Sequence, residues 1–320
     1  MNPENPESTG QPERQTRSHL MRLFERHGYH PRTSLGQNFL IDLNIIEFVV
    51  RTAELTRDDV VLEIGAGTGG MTTFMAHEAG HVISVELDRN MYQLAGEAIA
   101  PYQNVTLINA DALKNKNHFN PLVLEEIDRQ LKVSPQRRLK LVANLPYSIA
   151  TPVMSNLVAS ELPWVRMAVT IQYEVGLRMM SQPDDEFYGA LSVWLQSQCH
   201  VELAKKLPPT VFWPRPKVDS AVMLLTPDAE AQARISDRGF FHDFVRRVFN
   251  YRRKLLRSVL CGMYSNELEK RDVDAVLQGM GLIESARAEE LDIVTHLELA
   301  KRIQAAIEQK QASSSVRQDA

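Results

Sequence analysis

The chain has 320 residues, a formal net charge of -4 and 44% hydrophobic residues. This length favours one large domain with a smaller one, and the composition is that of a folded globular protein rather than a disordered one. No apolar run approaches the roughly 18 residues that a membrane helix needs, and the N-terminus lacks the apolar stretch of a signal peptide. We therefore expect a cytoplasmic protein without a membrane span.

The two cysteines, Cys199 and Cys261, lie far apart in the sequence. Neither belongs to a pair with metal-ligand spacing, so the sequence supports neither a disulfide framework nor a zinc site. We expect two buried thiols and no metal.

Both ends of the chain, residues 1–15 and 309–320, are polar and without periodicity, and we expect flexible tails there. Between them, helix-like segments alternate with short apolar runs at 60–64, 81–85, 105–108, 139–143 and 167–171. This alternation predicts a Rossmann-like α/β domain over residues 16–226, with a parallel, doubly wound sheet and helices on both faces.

The β-rich run at 218–225 is closely preceded by four prolines, which suit an edge strand or an extended approach to the strand, and we take it as the last strand of the sheet. From about Asp237 apolar residues recur at helical spacing. The sequence thus predicts a small all-helical domain over residues 227–308.

The first predicted strand leads directly into a glycine-rich loop, Gly-Ala-Gly-Thr-Gly-Gly at 65–70. Glycines at the carboxyl end of a strand let the backbone approach a ligand closely. The spacing also fits a dinucleotide site, and both interpretations require an acidic residue about 20 positions further on. Glu86 meets that requirement, and at a strand end its carboxylate can accept hydrogen bonds from both hydroxyls of a ribose.

Two acidic residues favour S-adenosylmethionine over NAD as the cofactor. Glu63 stands two residues before the first glycine and suits a cofactor that carries ammonium and sulfonium charge. Asp111 closes the third strand, where it can accept a hydrogen bond from an adenine amino group. The alternatives are a helix N-cap for Asp111 and a solvated strand end for Glu86. We expect S-adenosylmethionine to bind and S-adenosylhomocysteine to be the product.

The fourth strand ends in Asn144-Leu145-Pro146-Tyr147. An aromatic amine is a poor nucleophile because its lone pair is delocalised into the ring. The Asn144 side-chain oxygen and the carbonyl of Leu145 or Pro146 are acceptors for the two amino hydrogens, which leaves the lone pair directed at the sulfonium methyl group.

Tyr147 offers a stacking surface to an extruded base, worth about 1–3 kcal/mol. The alternative is that Asn-x-Pro-aromatic only forms a turn. In the context of the glycine loop, Glu86 and Asp111, the tetrapeptide predicts methyl transfer to N6 of an extruded adenine.

The motifs together resemble the ribosomal RNA adenine dimethyltransferase family, in the family's order. They are Leu-Gly-Gln-Asn-Phe-Leu at 35–40, the glycine loop with Glu86 and Asp111, the tetrapeptide at 144–147, the proline-rich segment at 208–220, and Phe-Asn-Tyr-Arg-Arg-Lys at 249–254. They span nearly all of the predicted folded chain.

The resemblance implies a cofactor pocket formed by Asn38, Leu40, Gly65, Glu86, Asp111 and Asn144. It implies that Phe212 faces Tyr147 across the target adenine. It also implies the transfer of two methyl groups to each of two adjacent adenosines near the 3′ end of small-subunit (16S) rRNA, on an assembling small ribosomal subunit. We expect the enzyme to act as a monomer.

The sequence departs from the family at two places. Ala66 and Thr68 stand where bacterial relatives usually carry Pro and Leu, a change that keeps the backbone requirement of the loop. Residues 114–138 form a longer segment than usual, and we expect a surface insertion there.

Positive charge is concentrated in two stretches despite the negative total. One is the N-terminal arm with Arg14, Arg17, Arg22, Arg26 and Arg32, and the other holds Arg246, Arg247, Arg252, Arg253, Lys254 and Arg257. A charge run is usually a solvated helix face. For a folded RNA substrate, such residues neutralise phosphates without reading bases, and we predict that Arg252, Arg253 and Lys254 bind RNA.

Three other functions are alternatives to dimethylation of small-subunit rRNA. A large-subunit rRNA adenine methyltransferase usually has Ile as the second residue of the tetrapeptide, whereas Leu145 is typical of small-subunit enzymes. A non-catalytic RNA-binding assembly factor is disfavoured because Glu86, Asp111, Asn144 and Tyr147 are intact. An NAD-dependent oxidoreductase is disfavoured by Glu63 and by the tetrapeptide.

Overall fold

The structure is a computed structural model that describes residues 15–32 and 35–318. The chain divides into two units. Unit 1 comprises the chain up to Gly176 together with Glu202–Thr226, and unit 2 comprises Leu177–Val201 together with the chain from Pro227. The first domain expected from the sequence, residues 16–226, differs from unit 1 because it includes Leu177–Val201.

The main sheet has seven strands in the order β4-β3-β2-β7-β8-β11-β9. These strands are β2 (Asp59–Ile64), β3 (His81–Glu86), β4 (Val105–Asn109), β7 (Arg138–Asn144), β8 (Trp164–Gln172), β9 (Cys199–Leu207) and β11 (Ser220–Pro227). Two short pairs accompany them, namely β1 (Phe39–Leu40) with β10 (Phe212–Trp213) and β5 (Leu113–Asn115) with β6 (His118–Phe119).

The five strands expected from the apolar runs are confirmed, and all five run parallel. The sheet as a whole is mixed, because β11 pairs antiparallel with β8. The run at 218–225 forms β11, the last strand in chain order, as expected. It lies between β8 and β9, so the edge-strand interpretation of its prolines was wrong.

The strand β9 was not predicted, and it forms the edge of the sheet. Most of its side chains are partly or fully exposed, and only Cys199 and Leu207 at its two ends are buried. Lys205 and Lys206 are exposed on it. Charged side chains of this kind protect an edge strand from pairing with other chains.

The helices of the first part of the chain connect the strands. They are α1 (Arg17–His27), α2 (Leu43–Thr52), α3 (Gly70–Glu78), α4 (Arg89–Ile99), α5 (Pro121–Leu131), α6 (Ala150–Ala159) and α7 (Tyr173–Met180). Buried side chains of α2 and α3, such as Val49 and Met75, pack with Val61 and Val142 of the sheet in one core cluster. Strand side chains alternate between faces, so Leu62 belongs to the opposite and equally buried face.

The segment 114–138 is not a surface insertion, and that prediction was wrong. Asn120 caps α5 by accepting the Leu122 N–H, and Pro121 occupies the first turn, where its missing N–H costs nothing. Val123 and Ile127 are fully buried. The helix contacts β2, β3 and β7, so it is the crossover that connects β4 to β7.

Unit 2 is helical. Its helices are α8 (Ala190–Gln196), α9 (Ala229–Gln232), α10 (Arg238–Phe249), α11 (Leu256–Met263), α12 (Lys270–Gly279) and α13 (Ile293–Gln318). The predicted apolar face of α10 is buried through Phe241, Phe244 and Val248. No helix in the described ranges combines the length and the apolar character that a bilayer crossing requires.

The two terminal segments expected to be flexible tails compare differently with the structure. Most of the N-terminal one, residues 1–14, lies outside the described residues. The C-terminal one differs from the structure, because α13 continues as a helix to Gln318.

Truncating Ile127 tests the role of α5. Ile127→Ala is expected to lower the free energy of unfolding by about 2 to 5 kcal/mol, because it leaves a cavity under the sheet. Leu122→Ala is the matched control on the same helix, since Leu122 is 56% exposed. Urea unfolding of both variants measures the difference. Equal and small effects would mean that the segment is an insertion after all.

Candidate active site

A cavity lies at the carboxyl ends of the parallel strands of unit 1. It is lined by residues of the segment before β1, the glycine loop and the ends of β3, β4 and β7, including Asn38, Phe39, Gly65, Gly67, Glu86, Leu87, Asp111, Ala112, Asn144, Leu145, Pro146 and Tyr147. Open α/β sheets bind ligands at this edge. Most of the residues predicted for the cofactor pocket are therefore together in one place.

Gly65 brings the glycine loop against the tetrapeptide. Its φ of 85° lies in the left-handed region, and a Cβ at this position would lie 3.2 Å from the Pro146 Cδ. A larger residue would be strained and would push the two loops apart. The strands that carry these loops, β2 and β7, are direct neighbours.

Glu86 presents a fixed carboxylate to the cavity. Its Oε2 accepts the Gly67 N–H at 2.8 Å, and its Oε1 accepts the Asp88 N–H at 2.8 Å. Burial raises the pKa of Glu86, while these N–H groups act in the opposite direction. Each oxygen keeps further acceptor capacity, so the carboxylate fits the two hydroxyls of a ribose.

Asp111 and Leu87 provide polar and apolar surfaces beside Glu86. The Asp111 Oδ1 accepts the Leu113 N–H at 2.9 Å, which fixes the turn after β4. The N-cap alternative for Asp111 is not observed, since Asn120 caps the next helix. Leu87 is 52% exposed and lines the cavity. An exposed apolar side chain next to a carboxylate suits an adenine ring with its amino group.

The segment before β1 closes the cavity on another side. Asn38 lines it, and the Gln37 Nε2 donates to the Asp88 Oδ2 at 3.0 Å. Leu40 does not line the cavity, because its side chain packs in the core cluster of α2 and α3. Phe39 lines the cavity instead, and its ring packs beside Gly67.

Asn144 has its side-chain amide oriented by a hydrogen bond. Its Nδ2 donates to the Asn38 carbonyl at 2.8 Å. Its Oδ1 therefore remains as an acceptor at the cavity. The Pro146 carbonyl accepts the Ile149 N–H at 3.0 Å, whereas no hydrogen bond to the Leu145 carbonyl occurs among the described residues. The geometry thus favours Leu145 over Pro146 as the second acceptor.

Tyr147 is held by its hydroxyl. Its Oη lies 2.6 Å from the Ser220 Oγ, at the start of β11. Partial burial raises the pKa of Tyr147, so the phenol stays protonated at neutral pH. The anchored ring lines the cavity next to Asn144.

Phe212 is not brought to the cavity. Its side chain is 1% exposed and packs in the core cluster with Leu40 and Leu207. The strand β10 places it there, because Phe212 pairs with Leu40 of β1. The expected arrangement of Phe212 opposite Tyr147 is therefore absent from this structure, and the core position is its physical reason.

Glu63 also lies away from the cavity lining. It is 2% exposed, and its Oε2 accepts hydrogen bonds from the Thr72 and Ser84 hydroxyls. Its carboxyl group thus connects α3 to β3 and does not line the cavity. Burial raises the pKa of Glu63 to about 7.

The raised pKa predicts a pH-dependent stability. The pKa of Glu63 is about 7 in the folded protein, above the ordinary glutamate value of 4.5, so the folded state binds more protons in this range. The free energy of unfolding therefore falls as pH rises through the window. Glu63→Gln should remove this loss. The free energy of unfolding of the variant, relative to that of wild type, should therefore increase with pH, by up to about 3 kcal/mol above pH 7. Urea unfolding of both proteins at pH 5 and pH 8 tests this prediction. An equal difference in the free energy of unfolding between variant and wild type at both pH values would contradict it.

The three basic residues predicted to bind RNA are not equivalent in unit 2. Arg252 donates to the carbonyls of Glu186 and Tyr188 and forms an ion pair with Glu289. Its guanidinium thus connects segments within unit 2, and RNA binding by Arg252 stays a prediction. Arg253 and Lys254 are exposed, and neither has an acidic partner among the described residues.

The remaining basic residues of this stretch are also paired. Arg246 and Arg247 pair with Asp243, and Arg257 pairs with Asp274. The stretch is therefore less available to RNA than its sequence indicates.

Sequence reasoning missed Gln37, Phe39, Leu87 and Ser220 as parts of the site. Gln37 and Phe39 lie inside the motif at 35–40, and Ser220 ends the proline-rich motif, so motif membership was the available signal. Leu87 carries no such signal, since its role depends on an exposure that only the structure reveals. Among the described residues, no group of three or more His, Cys, Asp or Glu side chains could hold a metal ion.

Comparisons with known proteins agree with this geometry. Residues 28–305 match the family described as ribosomal RNA adenine dimethylase. The ribosomal RNA small subunit methyltransferase A of Pediococcus pentosaceus is 39% identical over 88% of this chain and 93% of the relative. The protein of the same name from Moorella thermoacetica is 37% identical over 90% of this chain and 98% of the relative.

Two solved structures are similar in fold. A dimethyladenosine transferase from Plasmodium falciparum matches 83% of this chain and 97% of its own, with a TM-score of 0.69 and 22% identity. The 23S rRNA methyltransferase ErmE matches 83% of this chain and 100% of its own, with a TM-score of 0.57 and 25% identity. The fold is thus that of rRNA adenine methyltransferases.

Proposed function

Because this chain belongs to the ribosomal RNA adenine dimethylase family, we propose that it dimethylates N6 of two adjacent adenosines near the 3′ end of small-subunit (16S) rRNA. The chain is an rRNA adenine dimethyltransferase. The finer assignment rests on the relatives, which carry the name of small-subunit enzymes, and on Leu145. We propose an assembling small ribosomal subunit as the partner.

The orientation of the Asn144 amide is the observation that carries the proposal. With Nδ2 occupied by the Asn38 carbonyl, Oδ1 can only accept a hydrogen bond. An amino group bound by this oxygen and by the Leu145 carbonyl would have both hydrogens engaged. Its lone pair would then point out of the base plane, as a nucleophile needs.

The second part of the mechanism is the placement of the base and the cofactor. S-adenosylmethionine supplies an electrophilic methyl group when it is bound. Glu86 and Asp111 are proposed to hold its ribose and adenine, and Gly65 lets the glycine loop lie against Pro146 beside them. Tyr147 would stack on the extruded adenine, with its ring fixed through Ser220. These residues orient the reactants and exclude water, and none of them needs to take a proton before transfer.

A methylation assay distinguishes the proposed substrate from its main alternative. Purified protein is incubated with S-adenosylmethionine and either immature small ribosomal subunits or naked large-subunit rRNA, and dimethyladenosine is measured by mass spectrometry. We expect product on the small subunit. Product only on large-subunit rRNA would assign the chain to the alternative enzyme.

Replacing Asn144 tests the chemistry separately from the substrate. Asn144→Ala removes one of the two acceptors, and a loss of about 100-fold or more in kcat is expected, as for the removal of a transition-state hydrogen bond. Thr151→Ala is the matched control, since Thr151 is an exposed neighbour in the chain that does not line the cavity. Full dimethylation by Asn144→Ala would exclude this mechanism and favour a different active site.

The exposed basic pair of unit 2 gives a test of RNA binding. Arg253→Ala with Lys254→Ala is expected to weaken RNA binding and to reduce the salt slope by about 1 to 2, since each phosphate contact contributes about 0.7 to 0.9. Arg246→Ala is the control, because Arg246 already pairs with Asp243. Filter binding at several salt concentrations measures both. An unchanged slope in the double variant would remove these residues from the interface.

A further inference from the structure

Gln15 is the first residue that the structure describes, and its side chain is buried against the glycine loop. It is 4% exposed. Its Nε2 donates to the Thr68 carbonyl at 2.9 Å, and its Oε1 accepts a hydrogen bond from the Thr68 hydroxyl. The Gln15 side-chain amide thus pairs with both the carbonyl and the hydroxyl of Thr68.

The loop sequence leaves room for this amide. A Cβ at Gly70 would lie 3.0 Å from the Gln15 Oε1 and 3.3 Å from its Cδ. Any larger residue at Gly70 would displace the Gln15 side chain. Thr68 supplies the hydroxyl that this amide accepts from.

The amide acts on the part of the loop that adjoins the cavity. Thr68 follows Gly67, whose N–H donates to Glu86. The loop is therefore held by Glu86 on the cavity side and by Gln15 on the other side. Thr68 is itself buried and does not line the cavity. Gln15 consequently acts through the loop rather than on a bound ligand.

The helix that follows Gln15 fixes where the amide lies. Thr16 caps α1 by accepting the His19 N–H at 3.3 Å. Leu20 and Phe24 of this helix pack against Phe39 and Met91, which also line the cavity. Gln15 thus approaches the loop from a helix that is packed on the walls of the same cavity.

We propose that Gln15 is a positioning residue for cofactor binding. It holds the glycine loop in the conformation that binds the cofactor, so the loop loses less conformational freedom when the ligand arrives. The inference rests on the S-adenosylmethionine part of the proposed function. It assigns a role to the segment before α1 that the family motifs do not include.

Calorimetric titration of S-adenosylmethionine into the full chain tests the proposal. Gln15→Ala should raise the Kd about tenfold, which corresponds to the loss of two ordinary hydrogen bonds. Thr68→Ala deletes only the hydroxyl and should raise it less, and the double variant should resemble Gln15→Ala alone. Arg22→Ala, at an exposed position of α1, is the control and should bind as wild type does.

Two further readouts separate positioning from a general loss of stability. At saturating cofactor, kcat of Gln15→Ala should equal that of wild type while the KM for the cofactor rises. Gln15→Glu places a carboxylate against the Thr68 carbonyl, and its affinity should recover as the pH falls, because a protonated carboxyl group restores the donor. An equal fall in kcat, or an affinity of Gln15→Glu that does not vary with pH, would contradict the proposal.

An unchanged Kd in folded Gln15→Ala would overturn the proposal. If that variant does not fold, Thr68→Ala decides alone, and wild-type affinity in it would overturn the proposal as well. A wild-type protein that binds no S-adenosylmethionine would contradict the proposed function itself. Wild-type binding with an unchanged Gln15→Ala affinity contradicts only the role of Gln15.

Discussion

The contact between Gly65 and Pro146 is the constraint on which the site depends. The neighbouring parallel strands β2 and β7 end at the same edge, and each continues into a loop with a different task. Since a Cβ at Gly65 would lie 3.2 Å from the Pro146 ring, the glycine fixes how closely these loops approach. The cofactor loop and the tetrapeptide therefore share one cavity, which a methyl transfer between two bound molecules requires.

The hydrogen bonds around this contact all orient acceptors rather than acids or bases. Asn38 turns the Asn144 amide, Ser220 anchors Tyr147, and two backbone N–H groups fix Glu86. Such an arrangement suits an amine whose lone pair has to be exposed and a cofactor that already carries a good leaving group. Rate enhancement then comes from preorganised positions and electrostatics. Gln15 likewise fixes the glycine loop by hydrogen bonds, from the side that faces away from the cavity.

Much of this could be predicted from the sequence, because strand ends and glycine spacing are local signals. The five parallel strands and the positions of Glu86, Asp111 and Asn144 follow from such patterns. Phe212 and Leu40 could not be placed this way, since their pairing across β10 and β1 joins residues far apart in the chain. The intramolecular contacts of Arg252 could not be predicted for a similar reason. Its partners, Glu186, Tyr188 and Glu289, come from segments that only the tertiary structure brings to it.

The proposed dimethylation of adjacent adenosines can be tested by mass spectrometry of small-subunit rRNA from cells that lack the gene, compared with cells complemented by wild type or by Asn144→Ala. We expect the two dimethyladenosines near the 3′ end to be absent without the gene, to return with wild type and not to return with Asn144→Ala. Their presence in cells without the gene, or their full return with Asn144→Ala, would exclude the proposed function of this site.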